Sequence, residues 1–392
     1  MGSIKYIANI ALIIALYFLT YHIYSGIINP NPPLGDSWDY HIPIAHTIID
    51  GRFLNPQNFL LDQWYYPGSG ELVNVVLILL GLPLSFSNII ATVVLSFALY
   101  ILARTFSLEK NYSILFSLSF VTLNAVVRWL NFALVDLWMA TFFVFAIILL
   151  EKPQKTISYF LKLGFVMGMI LGIKYTAISF LIPLLIFYFP RIIKFVNLKY
   201  IVFFLIPFSI FGLFWYVRNY IFTGNPFYPL VFFDFPSNEV FGNLRVWNVF
   251  IKHPLAMVDS GFAEFKLWLF AVPFAILFLI NKYLRVREFR FDDISKLFIL
   301  GLVNFLLFFN FPTSEQPWIM VSSFRYAYPA FIPLFLGVFL LAKKYKKEEL
   351  LGYFTIANMI FVTSLSYYPK LVLVFLPIAI VIMYLVNRKS LR

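Results

Sequence analysis

Apolar runs of membrane-spanning length recur from one end of this 392-residue chain to the other. About 20 apolar residues in a helix span the hydrocarbon core of a bilayer. Within that core only helices and closed barrels satisfy their backbone hydrogen bonds. Hydrophobic residues make up 61% of the sequence and charged residues only 12%, about half the charged share of a soluble domain. The sequence therefore predicts an all-α polytopic membrane protein, with one domain over residues 1–392.

Hydropathy and length place about twelve transmembrane helices along the chain. The first apolar stretch is too long for the core of a signal peptide, so we expect it to be retained as a helix. The stretch 72–84 is only about thirteen residues long and contains a proline, which favours an interfacial or re-entrant segment. The predicted spans are 5–25, 88–103, 112–127, 133–150, 158–173, 175–190, 200–217, 267–281, 296–311, 327–342, 350–366 and 371–387.

Basic residues are distributed unevenly between the two sides of this arrangement. With the N-terminus in the cytoplasm, 21 of the 30 Lys and Arg residues fall on the cytoplasmic side, whereas 11 of the 18 Asp and Glu residues fall outside. Cytoplasmic loops of membrane proteins are enriched in Lys and Arg. The bias predicts a multi-pass protein of the plasma (inner) membrane with both termini in the cytoplasm. It also explains the net charge of +12 without nucleic acid as a partner.

Polar residues are expected to gather in the loops on the outer face. The first outer loop contains five acidic residues and a single arginine. Its amphipathic part, 40–50, predicts a short interfacial helix that ends at Gly51. The C-terminal helices follow over 327–392. The predicted outer loops are 26–87, 219–266 and 312–326.

Two aspartates, Asp36 and Asp39, follow the first predicted span in the sequence Gly-Asp-Ser-Trp-Asp-Tyr-His. A carboxylate at this place could act as a general base that deprotonates an alcohol. In the alternative interpretation both are simply solvated loop acids. His41 and His46 are five residues apart, which does not place them on one face of an α-helix, so they predict no metal site.

Ionisable side chains also lie at the outer ends of predicted spans. Such groups at membrane depth usually mark a ligand path or an ion pair. Snorkelling or pairing, for example of Arg128 with Asp136, explains each residue equally well. Taken with the acidic loop, they predict an anion-binding cavity where Arg binds phosphate bidentately and Lys acts as a point charge. These residues are Arg128, Asp136, Lys174, Arg218 and Arg325.

Two turn sequences rich in aromatic residues complete the candidate set. One is Tyr-Tyr-Pro-Gly-Ser-Gly-Glu, which contains Tyr66, and the other is Thr-Gly-Asn-Pro-Phe-Tyr-Pro, which contains Asn225. Aromatic side chains near an interface are usually membrane anchors. They also offer flat surfaces on which sugar rings stack, so both interpretations remain open.

In this order, the motifs resemble those of the GT-C superfamily of membrane glycosyltransferases, especially its protein-mannosyltransferase-like and aminoarabinose-transferase-like branch. The similarity covers most of the chain. Asp36 stands where that family has its catalytic Asp. Ser37 replaces the usual second acid, so whether Asp39 substitutes for it is open. Tyr66 precedes a proline where relatives carry a basic residue that contacts the donor phosphate.

The later motifs of the resemblance lie further along the chain. Arg128 and Asp136 are similar to the family's Arg…Asp pair, and Lys174 ends a Gly-rich span. The most specific match is Trp-Tyr-Val-Arg-Asn, which contains Arg218, followed by Gly-Asn-Pro-Phe-Tyr-Pro, which contains Asn225. An Arg-Tyr pair, Arg325 and Tyr326, closes the set.

The resemblance implies that a sugar passes from a dolichyl- or undecaprenyl-phosphate donor to a lipid, glycan or protein acceptor, with inversion at the anomeric carbon. It implies catalytic roles for Asp36, Asp39 and Asp136. It implies no cofactor, although a divalent metal is possible because relatives with pyrophosphate donors use one. The residues implied to bind the donor phosphate or sugar are Arg128, Lys174, Arg218, Arg325, Tyr326, Tyr66 and Asn225.

Other classes of protein would also place charged residues along a membrane. A transporter or lipid flippase would do so, but usually with inverted repeats and interrupted helices in matching halves, which this sequence lacks. A polyprenyl-linked glycan ligase also works at the outer face, with a pyrophosphate donor. An inactive scaffold of the same family remains a further alternative.

Overall fold

A computed structural model of the chain describes residues 2–56, 59–230, 235–236, 244–285 and 291–363. Within these residues the secondary structure is helical, and extended backbone pairs only at one isolated bridge between Arg245 and Pro312. The predicted all-α class is confirmed. The last predicted span, 371–387, lies outside the described residues.

Eighteen α-helices are found in the described part of the chain. They are α1 Gly2–Ile28, α2 Ile42–Ile49, α3 Leu72–Leu79, α4 Ser87–Thr105, α5 Lys110–Val121, α6 Asn124–Val127, α7 Asp136–Glu151, α8 Ile157–Ile173, α9 Ala177–Ile192, α10 Leu198–Phe208, α11 Phe214–Thr223, α12 Val246–Lys252, α13 Pro254–Phe265, α14 Ala271–Ile280, α15 Asp293–Phe308, α16 Pro317–Ser323, α17 Tyr328–Lys344 and α18 Glu348–Thr363.

Six continuous helical stretches are long and apolar enough to cross a membrane by length and composition. Other predicted spans coincide with shorter helices, such as α7 with 16 residues and α8 with 17, both below the usual 20 or so. A polytopic membrane protein is therefore supported, whereas the count of twelve spans stays a prediction. The six stretches are Ser3–Ile28, Leu84–Thr105, Ala177–Phe195, Leu198–Thr223, Pro254–Leu284 and Trp318–Lys344.

Glycines at four-residue intervals bring α8 against the backbone of α10 and of the π-turn that follows α10. A Cβ atom at Gly164 would lie 2.1 Å from the carbonyl oxygen of Phe204, and one at Gly172 would lie 1.8 Å from that of Phe211. Gly168 faces α10. Small residues at this spacing let two helices approach closely without side chains between them. This contact fixes the C-terminal end of α8, which leads directly into the polar site.

Aromatic side chains fill the space around α17. The rings of Phe265 and Phe331 stack with centroids 3.7 Å apart, and those of Trp268 and Phe335 stack at 4.0 Å. Burying such rings is strongly favourable, and their stacking adds about 0.5–1.5 kcal/mol per pair. The N-terminal end of α17 is thereby held in place, and the segment before it carries Arg325, a buried arginine of the site described next.

Candidate functional site

Asp36 immediately precedes a π-helix that runs over Ser37–His41. The turn is closed by a hydrogen bond from the backbone N–H of Ile42 to the carbonyl oxygen of Ser37. Ser37 is buried, and its hydroxyl accepts a hydrogen bond of 3.2 Å from the backbone N–H of Ala133. Single π-turns are rare and are frequent at functional sites. Ser37 therefore anchors the turn to the segment that precedes α7.

Four charged side chains from distant parts of the sequence form a continuous chain of ion pairs, here called the charged cluster. The guanidinium of Arg325 pairs through Nη2 with the carboxylate of Asp36. Its Nε lies 3.2 Å from Oδ2 of Asp136. The other oxygen of Asp136 accepts a hydrogen bond of 2.9 Å from Nζ of Lys174. Two carboxylates thus alternate with two cations, so an added anion can bind only by competing with a carboxylate.

The cluster is buried at its centre and open at one end. Asp136 and Arg325 are buried, whereas the side chain of Asp36 is 38% exposed. Burial raises the pKa of Asp36, but the charges of Arg325, His41 and Lys174 outweigh it and hold this pKa below its ordinary value. Asp36 is therefore an ionised carboxylate at neutral pH and the one that a soluble molecule can reach first.

Aromatic rings surround the two cations of the cluster. Nζ of Lys174 lies 4.1 Å from the centre of the Tyr326 ring. The guanidinium carbon of Arg325 lies 5.2 Å from the same ring and 5.1 Å from that of Trp129. Such cation–π contacts stabilise a desolvated cation. Tyr326 therefore lies against both cations, and its implied role in binding the donor stays a prediction.

Tyr66 lies beside the cluster and interacts electrostatically with Asp36 and Tyr326. It packs edge to face against Tyr40 at 5.5 Å and against Tyr175 at 5.8 Å. Tyr40 in turn interacts electrostatically with Asp36. Tyr66 therefore lies in the aromatic wall beside the site, where its predicted contact with the donor stays a prediction.

Arg128 does not pair with Asp136, the partner that the sequence offered as one interpretation. Its Nη1 lies 2.6 Å from Oε1 of Glu264, and its guanidinium carbon lies 4.6 Å from the centre of the Trp129 ring. Trp129 is contacted by both Arg128 and Arg325. Arg128 is therefore a neighbour of the charged cluster across one indole ring, and it is not a member of the ion-pair chain.

Arg218 is buried among neutral acceptors. Its Nη2 donates a hydrogen bond of 2.7 Å to the carbonyl oxygen of Tyr65, and Nη2 and Nε both donate to Oδ1 of Asn219. The guanidinium also lies 4.9 Å from the centre of the Trp215 ring. These bonds tie α11 to the first loop. The role of Arg218 in binding the donor stays a prediction.

Asn225 and Asp39 lie apart from the ion pairs. The amide of Asn225 donates to the carbonyl oxygens of Leu230 and Pro236, and its Oδ1 accepts from the backbone N–H of Phe227. Asn225 therefore closes its own loop. Asp39 is exposed, and in the described part of the chain its carboxylate has no ion pair.

Two ion pairs near the cluster were not predicted from the sequence. His41 and Glu71 form a buried pair, with 2.6 Å between Nδ1 of the histidine and Oε1 of the glutamate. Glu264 pairs with Arg128 as described above. Neither had a local signal, because the partners are 30 and 136 residues apart. Among the described residues, no three His, Asp or Glu side chains form a group suited to a metal ion.

Comparisons with known proteins found no family model, no curated protein and no solved structure that matches the chain. The resemblance to GT-C glycosyltransferases therefore rests on the order of the sequence motifs, and the chemistry of the site on the geometry given above.

Proposed function

We propose that this protein is a membrane glycosyltransferase that transfers a sugar from a polyprenyl-phosphate donor to an acceptor alcohol or amine. The observation that carries the proposal is the charged cluster, in which Asp36 from the first loop meets Arg325 from a late loop, with Asp136 and Lys174 completing the chain. Four carriers of the GT-C resemblance that are far apart in sequence thus form one chain of contacts, which begins at Asp36, the residue at the catalytic position.

The cluster offers both charges that such a reaction needs. The acceptor oxygen attacks the anomeric carbon from the face opposite the phosphate, and a new C–O bond forms. The bond from that carbon to the phosphate oxygen breaks, and its electron pair leaves with the phosphate. Arg325 and Lys174 stabilise the charge that develops on that oxygen, while Asp36 accepts the proton of the acceptor. Asp136 holds both cations in position.

We further propose the topology that the charge bias predicts, with twelve spans, cytoplasmic termini and the charged cluster at the outer face of the plasma membrane. The chain contains no Cys, so single cysteines can be introduced without removing native ones. Leu60→Cys in the first loop should react in intact cells with a membrane-impermeant maleimide, whereas Lys347→Cys should react only after the cells are lysed. The opposite pattern would reject this topology.

The reaction itself is tested with purified protein in detergent or liposomes and a panel of radiolabelled polyprenyl-phosphate sugars. We expect release or transfer of sugar from one donor class by the wild type, and turnover about 10²–10⁴-fold slower in Asp36→Asn, the range for loss of a positioned general base. Asp50→Asn is the matched control, because Asp50 is an exposed acid of the same loop that pairs with Arg52.

A transporter or flippase would give a different result in the same preparation. Labelled lipid would then cross the liposome bilayer without cleavage of its sugar–phosphate bond, and Asp36→Asn would not change the amount of free sugar. That outcome would reject the transferase.

A further inference from the structure

His41 is a buried histidine, and among the described residues only one of its two ring nitrogens has a hydrogen-bond partner. Its Nδ1 lies 2.6 Å from Oε1 of Glu71, and the other oxygen of Glu71 accepts a hydrogen bond of 2.9 Å from the amide of Asn74. All three side chains are buried. A histidine and a carboxyl in such contact bind and release protons as a pair. Glu71 and Asn74 therefore fix the ring and leave its second nitrogen to act.

The second nitrogen, Nε2 of His41, is buried and has no hydrogen-bond partner among the described residues. More than nine in ten buried polar groups in proteins have such a partner, and an exception needs an explanation. A bare imidazole nitrogen is a proton acceptor, and a protonated one is a donor. The geometry therefore leaves one proton-exchanging atom available inside the protein.

The π-helix places this ring beside the charged cluster. Because its hydrogen bonds connect residues five apart, Asp36 and His41 come one turn from each other, and His41 interacts electrostatically with both Asp36 and Asp136. The ring of Tyr40 lies 4.2 Å from that of His41. The charged and titratable groups in the surroundings of His41 are thus Asp36, Asp136, Lys174, Arg325, Glu71 and Tyr40.

We propose that His41 and Glu71 form a proton relay behind Asp36. The proton that Asp36 takes from the acceptor substrate passes, directly or through a water molecule, to Nε2 of His41. The O–H bond on Asp36 breaks, the N–H bond on His41 forms, and the imidazolium is balanced by the Glu71 carboxylate. When the products leave, the proton passes back to the phosphate product or to water. The relay rests on the proposed function.

The relay would explain how Asp36 returns to its ionised form after each turnover. Arg325 and Lys174 favour the ionised form of Asp36, so a proton on this carboxylate is held weakly. Asp36 must nevertheless be a carboxylate again before each turnover. A buried imidazole beside Asp36 receives the proton without opening the site to bulk water. Bulk water would compete with the acceptor for the sugar.

Coupling between His41 and Asp36 can be measured without any sugar donor. The chain has four histidines, so ¹⁵N-histidine labelling gives few signals, and His41→Gln assigns those of His41. We expect the ¹⁵N chemical shift of the His41 ring at neutral pH to change in Asp36→Asn, because the adjacent carboxylate interacts electrostatically with the ring. Asp39→Asn removes the same charge two residues from His41 at an exposed position and should change it much less.

Equal changes in the two variants, or no change in either, would overturn the relay. This result does not depend on activity. If the wild type cleaves no donor while the coupling is present, the proposed glycosyl transfer fails and the proton exchange between Asp36 and His41 stands.

Turnover supplies the second readout. In His41→Gln we expect a kcat about 10–10²-fold lower, at or below the range for a proton-transfer group, with an unchanged KM for the donor. Imidazole added to His41→Gly should restore part of the rate, which it would not do for a purely structural residue. The control is His46→Gln, an exposed histidine of the same loop. Normal turnover in well-folded His41→Gln would contradict the relay, as would failure of imidazole to raise the rate of a folded His41→Gly.

Discussion

Arg325 and Arg218 are two buried arginines in contact with the first loop, and they differ in what they bind. Each lies about equally far from an indole ring, 5.1 Å from Trp129 for Arg325 and 4.9 Å from Trp215 for Arg218. Arg325 pairs with two carboxylates. Arg218 donates to a backbone carbonyl and a side-chain amide.

The difference indicates which arginine is available for an anionic ligand. The partners of Arg325 are charged, and the exposed one, Asp36, can turn from the guanidinium when a phosphate arrives. The acceptors of Arg218 within the described residues are neutral and belong to the fold, so a phosphate there would compete with hydrogen bonds that tie α11 to the first loop. From this comparison we expect Arg325 to bind the anionic ligand and Arg218 to act as a structural clamp.

The largest effect is expected from Arg325→Gln. The substitution leaves the buried carboxylate of Asp136 with one cation instead of two and leaves Asp36 without its cation. Removing one partner of a buried ion pair typically costs about 3–5 kcal/mol of folding stability. Thermal unfolding of the purified protein in detergent measures this loss, and sugar transfer should be abolished as well.

A double variant separates the charge from the shape of the side chain. Arg325→Gln with Asp36→Asn removes the carboxylate that has lost its cation and keeps the Asp136–Lys174 pair, so it should be more stable than Arg325→Gln alone while remaining inactive. If the double variant is no more stable than the single one, the ion pair is not what stabilises this part of the protein.

A smaller loss of stability is expected from Gly172→Ala, which disturbs the surroundings of both Arg325 and Arg218. The added methyl group would lie 1.8 Å from the carbonyl oxygen of Phe211 and 2.5 Å from the hydroxyl of Ser69, so α8 and its neighbour must separate. Overpacking of this kind costs about 1–3 kcal/mol. Lys174 follows two residues later and Ser69 binds the indole of Trp215. We expect reduced thermal stability together with weaker transfer. Gly81→Ala is the control. No atom would lie within 4 Å of its added methyl group, but Gly81 has a positive φ, so this variant shows the effect of backbone strain without overpacking.

Arg218→Met should cost about 1–2 kcal/mol, because it leaves Oδ1 of the buried Asn219 without its donor and removes one of the two donors to the Tyr65 carbonyl, which keeps the amide of Asn219. Its effect on turnover should not exceed its effect on the folded fraction. Unfolding and kcat are measured on the same preparation. A loss of turnover far beyond the loss of folded protein would show that Arg218 acts on the substrate and would break the comparison.

The smallest effect is the dependence of stability on pH. The pKa of Asp36 is lower in the folded protein than its ordinary value near 4. Its carboxylate therefore stabilises the folded state above that ordinary value, and the contribution is lost as pH falls through the folded pKa. Asp36→Asn should thus differ most from the wild type above about pH 5 and approach it below about pH 4. Arg218→Met, which removes no carboxylate partner among the described residues, should show no such convergence.

The sequence predicted the helices better than it predicted their contacts. The first predicted span, 5–25, coincides with α1 at Gly2–Ile28, because a long apolar run has few other solutions in a membrane protein. The first loop was expected to hold a helix over 40–50. The structure places α2 at Ile42–Ile49 and precedes it with a π-helix. A single π-turn is too short to change the hydrophobic pattern, so the sequence does not distinguish it from an α-turn.

Which charges pair was decided by packing. Arg128 and Asp136 are close in sequence, yet Arg128 meets Glu264 from α13, and Asp136 meets Lys174 and Arg325. These contacts depend on how α7, α8 and α17 pack, which no local pattern specifies. His41 was judged by its spacing from His46, whereas its partner Glu71 arrives from 30 residues away.

The account is tested most directly by the affinity for sugar-free polyprenyl phosphate. This affinity is measured for the Arg325→Lys and Arg218→Lys variants in the same detergent. Both variants keep the positive charge and lose the fork of the guanidinium. We expect the dissociation constant to rise about tenfold or more in Arg325→Lys, equal to about 1.4 kcal/mol, and to stay within about threefold of the wild type in folded Arg218→Lys. Weakened binding in Arg218→Lys with unchanged binding in Arg325→Lys would contradict the account, because the phosphate would then bind at the arginine assigned here to the fold.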